Sequence, residues 1–484
     1  MHPNTTRRAF LSALATATAI LAFSPATRAW VTTPDAACGS IPIPKLDGQL
    51  VLAAGTLAAA SSDFGRFIHR TPAAVLYPGS VDDIRAIVKF ARKHDIPVGG
   101  MSKVGNTHSV YGQSQVEAGI VIHMASLDTI HEIGQHSALV DAGVRWRQLL
   151  LATTPLGKTP PSLADHLDLS VGGTLSGGGV GGATYAHGMI VDNALELQVV
   201  TGKGDLVTCS PTHKADLFHS VLGGMGQCGI IVRARVRLIP ALSMSRRYTA
   251  IYAALGDMMA DQEMLIDEAR FEHVEGFAIP GPSGWQFQIE AVKHYDPASP
   301  PDDGALTGDL AFDDGTLVIE DSTYYDFANR LEPLIAFLET IGVWQLPHPW
   351  IDLFVPGSQA ETFIQSALDN ETEADLGGGP ILIYPFHRAS VTTPLVALPD
   401  EPIVYLFSLL RTSAPDAVPA YLAKNRAVYE ACRDIGGKRY APSGVPFTKA
   451  DWKDHFGSNW LPFRNRKHHY DPRGILTPGP GIFG

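Results

Sequence analysis

Two glycine-rich segments stand out as places where the chain could do chemistry. The first, Gly105-Asn106-Thr107-His108-Ser109 followed by Gly112-Gln113, reads as a loop. Consecutive backbone N–H groups in such a loop can form a concavity that binds an anion such as a pyrophosphate. The second runs from Val171 to Gly182 and contains Gly177-Gly178-Gly179-Val180-Gly181-Gly182, a literal G-x-G-x-x-G. A nicotinamide-binding fingerprint would open a helix after a strand, with an acidic residue about twenty positions on. Here Ala-Thr-Tyr-Ala-His-Gly follows, without helical periodicity. These glycines read better as backbone passing close to a ligand. Other chemistries lack their residues. The 18 histidines include no His-Glu-x-x-His, and His468-His469 are adjacent and cannot both face one way on a strand, so no metal site is expected. There is no G-x-S-x-G nucleophile motif and no C-x-x-C.

The elements that must position these loops alternate between strand and helix. Val75–Pro78 is an apolar strand; Ser80 and Asp83 predict a capped helix with Val81, Ile84, Ile87, Val88 and Ala91 as its buried stripe. Ile96–Val98, Gly119–Met124 and Ala138–Val140 predict further strands, and Arg145–Leu151 a helix. Residues 230–238 alternate apolar and basic, the pattern of a strand with one wet face, and Pro240 closes it. A domain boundary is placed there. Beyond it, helices are expected over Tyr324–Ile341 and Ala417–Ile435, with strands such as Ile381–Tyr384 between them. This is an α+β pattern.

The 484 residues suit roughly two to four domains. With 45 % hydrophobic and 18 % charged residues the chain has ample core. Its 37 Lys and Arg against 49 Asp and Glu give −12, which argues against nucleic acid and anionic lipid surfaces as partners. At the amino terminus, Arg7-Arg8 precede an apolar run from Phe10 to Phe23, and small residues lead to Ala29. That is a signal peptide of twin-arginine type, cleaved after Ala29 and too short to span a bilayer. Residues 1–29 are therefore set apart. The mature protein is expected in the periplasm or outside the cell, delivered by the twin-arginine translocase without stable membrane insertion. Cys38, Cys209, Cys228 and Cys432 allow three disulfide pairings and read as small buried hydrophobes.

Several motifs, in order, carry a resemblance over nearly the whole mature chain. His108-Ser109 in its glycine loop and Asp165-x-Leu-x-Leu-Ser-Val-Gly-Gly-Thr-Leu-Ser176 resemble the flavin domain of the vanillyl-alcohol-oxidase (PCMH-type) superfamily. Leu195–Gly204, Asp216-Leu217-Phe218, Val274-Glu275-Gly276, Pro347-His348-Pro349-Trp350, Ile383-Tyr384-Pro385, Asp451-Trp452 and Thr477-Pro478-Gly479 resemble the cytokinin dehydrogenases within it. The resemblance implies FAD, an FAD domain over residues 30–242 completed by 441–484, and a substrate domain over 243–440. It implies oxidation of the secondary amine on an adenine N6 side chain to an imine, which hydrolyses to adenine and an aldehyde. Oxygen or a quinone would take up the electrons. The same fold acting on an alcohol, sugar or other amine is the alternative; a non-enzymatic flavin or ligand-binding protein is a second, against which Asp165 and Glu275 argue.

By the same resemblance, His108 carries FAD covalently through the 8α-methyl position, which raises the flavin potential and prevents loss of cofactor after export. Asp165 lies beside the flavin and takes or holds the amine proton, and Glu275 binds the far edge of the purine. Asp168, on the opposite parity of a presumed strand, is the competitor for Asp165. Gly105, Asn106, Thr107, Ser109 and Gln113 surround FAD at the first loop. Ser170, Ser176, Val180 and Ile230 wrap its ADP half; Tyr440, Thr477 and Pro480 close on the isoalloxazine. His387, Asp352 and Ala441 stand where the family has Asn, Asn and Leu, Thr107 where it has Gly, and Pro480 where it has Gln; His387 and Ala441 are counted as substrate contacts.

Overall fold

In the computed structural model, described for residues 20, 22–32, 39–105, 108, 111–282 and 284–484, three main sheets form two lobes. In the first lobe, the fully buried strand Ala74–Tyr77 pairs in parallel with Ile120–His123, which pairs in parallel with Val98–Met101. Helix Val81–His94 links the first to the third of these strands and buries Ile84, Ile87, Val88 and Ala91 against them, the stripe its period predicts. Ser80, however, makes no capping bond. The buried Asp83 carboxylate accepts instead from the backbone N–H groups of Gly79, Asp47 and Gly48, at 2.7–2.8 Å, and so ties the amino-terminal segment to the helix.

A five-stranded antiparallel sheet follows, with Gly229–Arg237 at its centre between Ala194–Thr201 and Ser137–Asp141. The basic residues of its alternating pattern face water and pair with acids: Arg233 Nε donates to Asp141 at 3.0 Å and Arg235 to Glu132 at 3.0 Å. The carboxyl-terminal residues return to this lobe. Leu476 is flanked by hydrogen bonds from Val98 N–H to the Ile475 carbonyl and from Thr477 N–H to the Val98 carbonyl, each 2.8 Å. The buried Lys467 ammonium donates to the Gln227 and Leu476 carbonyls and to Asp471.

The second lobe is one antiparallel sheet of eight strands drawn from residues 244–439. Its central order is Met244–Tyr252, Gly284–Tyr295, His273–Gly281, Ile381–His387, Ile403–Leu409, Ile351–Pro356. Helices Leu255–Glu268, Gly357–Leu368 and Val418–Asp434 cover it.

The structure departs from expectation in two places. The long helix expected over Tyr324–Ile341 is two helices, Tyr324–Ala328 and Glu332–Thr340. Pro333, which has no N–H to give a preceding turn, sits in the first turn of the second. Residues 160–169 are irregular rather than a strand, so the parity that ranked Asp168 below Asp165 does not exist. Ala22–Ser24, inside the segment set apart as a leader, pairs with Ala29–Val31 and Ile41–Pro42. Phe23 there is buried beside Trp30 and Phe90, because an apolar run buries in whatever groove it reaches. Arg7, Arg8 and Cys38 lie outside the described residues; Cys209, Cys228 and Cys432 are buried free thiols. Among the described residues no helix is long and apolar enough to cross a membrane.

Candidate active site

The face of the eight-stranded sheet turned toward the first lobe follows from register. Glu275 stands opposite Glu290 in the hairpin closed at Gly281–Gly284. Two residues on, Phe277 pairs with Leu382, Leu382 with Ser408, and Ser408 with Asp352. Side chains two apart on a strand share a face, so Glu275, Glu290, Phe277, Leu382, Tyr384 and Asp352 line one cavity of about 1030 Å³ between the lobes. Asp165 enters from the irregular loop of the first lobe.

Arg330, in the break between the two short helices, joins these acids. Its Nη2 donates to Asp165 Oδ1 at 2.9 Å and to Glu275 Oε2 at 3.1 Å, and its Nε lies 3.0 Å from Glu290 Oε1. Arg247 reaches the other Glu290 oxygen at 3.2 Å. His273 Nε2 is 3.3 Å from Glu275 Oε1, and the Gly182 N–H also bonds the Glu275 carboxylate. Burial, chiefly, raises Asp165 from its ordinary 3.8 to about 6 and Glu275 from 4.5 to about 7; the neighbouring carboxylates add to it and Arg330 opposes it. Burial also lowers His273 to about 4, so its ring is neutral. Ligand atoms of Asp165, His273 and Glu275 lie within 4.8 Å of one another, a spacing a metal ion could use. The guanidinium of Arg330 already supplies a positive charge to both carboxylates there.

Much of the rest of the cavity wall is glycine-rich backbone: Gly172, Gly173 and Gly177–Gly179, then Gly226 and Gly229. Gly178 (φ +138°) and Gly179 (φ +83°) hold angles that side chains rarely adopt, and a Cβ on Gly178 would stand 2.8 Å from the Tyr440 ring. A Cβ on Gly177 would meet no atom within 4 Å; this backbone leaves open space where a side chain would otherwise lie. Tyr440 Oη accepts the Gly179 N–H at 2.7 Å and so ties the two lobes together. Thr477, a β-branched residue at φ +48°, is fixed by its N–H bond to Val98 and by Gln227 donating to its carbonyl at 2.7 Å. Such strain persists only where surroundings over-determine it. A trough of this size, walled by close-approaching glycine backbone and by Val180, Ile230 and Met225, fits FAD.

His108 lines the cavity within an aromatic cluster. Its ring stacks on Phe64 at 4.1 Å between centroids, and Trp350 and His166 lie 5.2 and 5.0 Å away. Burial drives its pKa well below the usual value, so the imidazole is neutral and its nitrogen lone pair is available.

Of the residues expected at the site, His108, Gln113, Asp165, Ser170, Ser176, Val180, Ile230, Glu275, Tyr440, Ala441 and Thr477 line this one cavity. Asn106, Thr107 and Ser109 lie outside the described residues. Three others are placed away from this cavity. Gly105 is exposed, and a Cβ there would touch only Ala59. Pro480 is buried away from the cavity with its carbonyl accepting the Trp452 indole N–H at 3.0 Å. His387, at the end of its strand, lies 3.6 Å from Asp267 on the far side of the sheet from Tyr384's neighbours, because one step along a strand reverses the face. Glu275 stands beside Asp165: both touch one nitrogen of Arg330. Asp168 is bound to Arg145 and Arg147, each at 2.8 Å, which hold its pKa down and keep it off the cavity. Arg330, His273 and Glu290 went unread in the sequence, since only folding brings positions 165, 275, 290 and 330 together.

Asp352 also lines the cavity. Ser408 donates to its Oδ1 at 2.7 Å, while Oδ2 is buried without a hydrogen-bond partner, and burial raises its pKa to about 6. The folded carboxyl keeps its proton to about pH 6 and the unfolded one loses it near 4. Ionising Asp352 therefore penalises the folded state above pH 6, and the penalty fades as pH falls toward 4. Asp352→Asn should thus stabilise the protein by about 3 kcal/mol at pH 8 and hardly at all at pH 4. Thermal melts of both proteins at the two pH values check this.

The chain's similarities agree with this geometry. Residues 72–210 match the model of an FAD-binding domain, and residues 281–483 match that of "Cytokinin dehydrogenase 1, FAD and cytokinin binding". The chain is 37 % identical to an uncharacterized oxidoreductase, ORF5 of the fasciation locus of Rhodococcoides fascians, covering 87 % of this chain and 96 % of that one. It is 36 % identical to cytokinin dehydrogenase 9 of Oryza sativa subsp. japonica, with 88 % and 89 % covered. Cytokinin dehydrogenase 2 of Arabidopsis thaliana is 33 % identical, with 88 % and 92 % covered. In fold it resembles 6-hydroxy-D-nicotine oxidase from Arthrobacter nicotinovorans (TM-score 0.68, 19 % identity, 89 % and 96 % covered). It also resembles a VAO-type flavoprotein from Myceliophthora thermophila C1 (0.67, 18 %, 86 % and 80 %). A glycine-walled trough lining the same cavity as a buried acid cluster, on an α+β frame of VAO type, thus coincides with relatives matched along most of their length: this chain belongs to the cytokinin dehydrogenase family of FAD-dependent oxidoreductases.

Proposed function

We propose that this enzyme oxidises the secondary amine of an N6-substituted adenine to an imine, which water hydrolyses to adenine and an aldehyde. The observation that carries the reading is the buried Asp165–Glu275–Arg330 cluster lining the same cavity as the glycine-rich wall. Bound FAD supplies the two-electron acceptor for the hydride leaving the carbon next to nitrogen. The chain must then place that carbon and take up the N–H proton. Asp165 is the acceptor, within a cavity whose lining includes the apolar side chains of Leu334, Ile335, Leu338 and Trp344. Glu275, beside it, orients the nitrogen-bearing end of the substrate. Leu382 and Leu406 provide an apolar floor for a hydrocarbon substituent. Turnover with isopentenyladenine and a quinone or oxygen as acceptor should release adenine and aldehyde in equal amounts, measured by chromatography. Absence of both products would remove the substrate assignment.

An alcohol, sugar or other amine as substrate of the same cavity draws support from one feature. The buried Asp352 offers a polar contact on a wall that a purely hydrocarbon substituent leaves unused.

In this reading His108 holds FAD through a covalent bond from its imidazole, with Phe64 and Trp350 fixing the ring. The protein reaches the periplasm or the exterior through the twin-arginine route, guided by Arg7-Arg8. Arg7→Lys together with Arg8→Lys should leave the precursor in the cytoplasm. Fractionation and immunoblotting check this; normal periplasmic accumulation would assign the general secretory route instead.

A further inference from the structure

The acid cluster presents a charge problem. Asp165, Glu275 and Glu290 bring three carboxyl groups into one buried space, and Arg330 and Arg247 bring two cations. His273 contributes no charge while neutral. Neutrality is reached when Asp165 and Glu275, which meet at one nitrogen of Arg330, share a single proton. Burying a charge without a partner is costly, so this count is the stable one.

The cations are not equivalent. Arg247 touches Glu290 and, toward solvent, Glu320. Among the described residues Arg330 is the cation that touches Asp165 and Glu275, and it does so with a single nitrogen while its Nε holds Glu290. Its guanidinium lies over the Phe327 ring at 4.7 Å, which fixes the plane of the fork. The planar fork lets one side chain serve three carboxylates in a fixed plane, with Nη2 and Nε directed at different partners.

We propose that Arg330 is a positioning residue that sets the proton count of the Asp165–Glu275 pair at one, and thereby keeps one carboxylate free to receive the substrate's amine proton. The inference rests on the assignment of Asp165 as that acceptor. Without Arg330, the main attraction that opposes burial and mutual repulsion is lost, and the pair takes up a second proton at neutral pH. Asp165 then has no lone pair to offer the substrate. The groups facing Arg330 are Asp165 from the loop, His273 and Glu275 from one strand, Glu290 from the next, and, through Glu290, Arg247 from the third. Of these, Glu290 competes with the pair for the same cation. Neutralising Glu290 should therefore act opposite to removing Arg330.

Flavin reduction by isopentenyladenine, followed by stopped flow across pH in the holoenzyme, tests this. Arg330→Met should move the acid limb of the rate profile upward by about one to three pH units, the usual effect of losing an opposite charge at this distance. Arg330→Lys should fall between Met and wild type, and Glu290→Gln should move the limb downward. A uniform loss of rate with the acid limb unmoved in all three variants would overturn the proposal, as would shifts of one sign throughout. The second readout needs no substrate. Infrared titration of the protonated-carboxyl C=O band in oxidised holoenzyme should show the same opposed shifts. If wild type fails to react with isopentenyladenine but the infrared shifts appear, the substrate reading fails and the role of Arg330 stands. If neither readout shifts, the role fails whatever the substrate. Should Arg330→Met not fold, the Lys and Gln variants still carry the opposed signs.

Discussion

Asp165→Asn should slow flavin reduction in single turnover by about 10²–10⁴-fold, the range lost when a positioned acid–base group is removed. The amide keeps the shape and can still accept from Arg330, so the fold and the bound cofactor should persist. What disappears is a group able to take a proton as the hydride leaves. Because Asp165 and Glu275 touch the same Arg330 nitrogen, Glu275→Gln should not behave as a remote binding mutation. It should alter the pH profile as well as substrate affinity, since it removes one of the two groups that share a proton. Stopped-flow absorbance across pH measures both. Unchanged reduction rates in Asp165→Asn would take this residue out of the mechanism. Asp168 is then a poor substitute, because its carboxylate is already held by two arginines.

His108→Ala should abolish acid-stable flavin on the chain entirely. Wild-type holoenzyme denatured in acid should keep yellow fluorescence with the polypeptide on a gel, whereas the variant should release its flavin to the supernatant. The neutral, buried imidazole has the lone pair such a bond requires. FAD should still bind His108→Ala before denaturation, because the glycine wall and Tyr440 that also line the cavity are untouched. Release of flavin from the wild type by acid would show that His108 only stacks in the aromatic cluster.

How far the sequence foretold this site depends on how local each feature is. The strand Gly229–Arg237 and the helix Val81–His94 were legible because periods of two and 3.6 are written in neighbouring residues. The glycine wall was legible as well, since a run such as Gly177–Gly179 makes sense only where backbone must come close to something. Asp165, His108, Glu275 and Tyr440 could be picked out only through resemblance, and they do meet in one cavity. Arg330 was not legible. Its apolar neighbours read as one continuous helix, and the break that turns it toward the acids depends on Pro333 and on a sheet formed from strands far away in sequence. Asp168 was ranked below Asp165 on the parity of a strand that is a loop, so the ranking agrees with the structure for another reason, its two arginine partners. His387 was placed by motif alignment, on a face the strand's alternation turns away. Asp83 shows the same limit at small scale. The capping pattern was present, but its carboxylate went to a segment more than thirty residues back.

The most direct test of the account is an anaerobic titration of the purified holoenzyme with isopentenyladenine, following flavin absorbance. The account predicts bleaching complete at one equivalent of substrate per flavin, with one equivalent of adenine and of aldehyde recovered after hydrolysis of the imine. A flavin that stays yellow with N6-substituted adenines and bleaches with an alcohol, a sugar or another amine would contradict it.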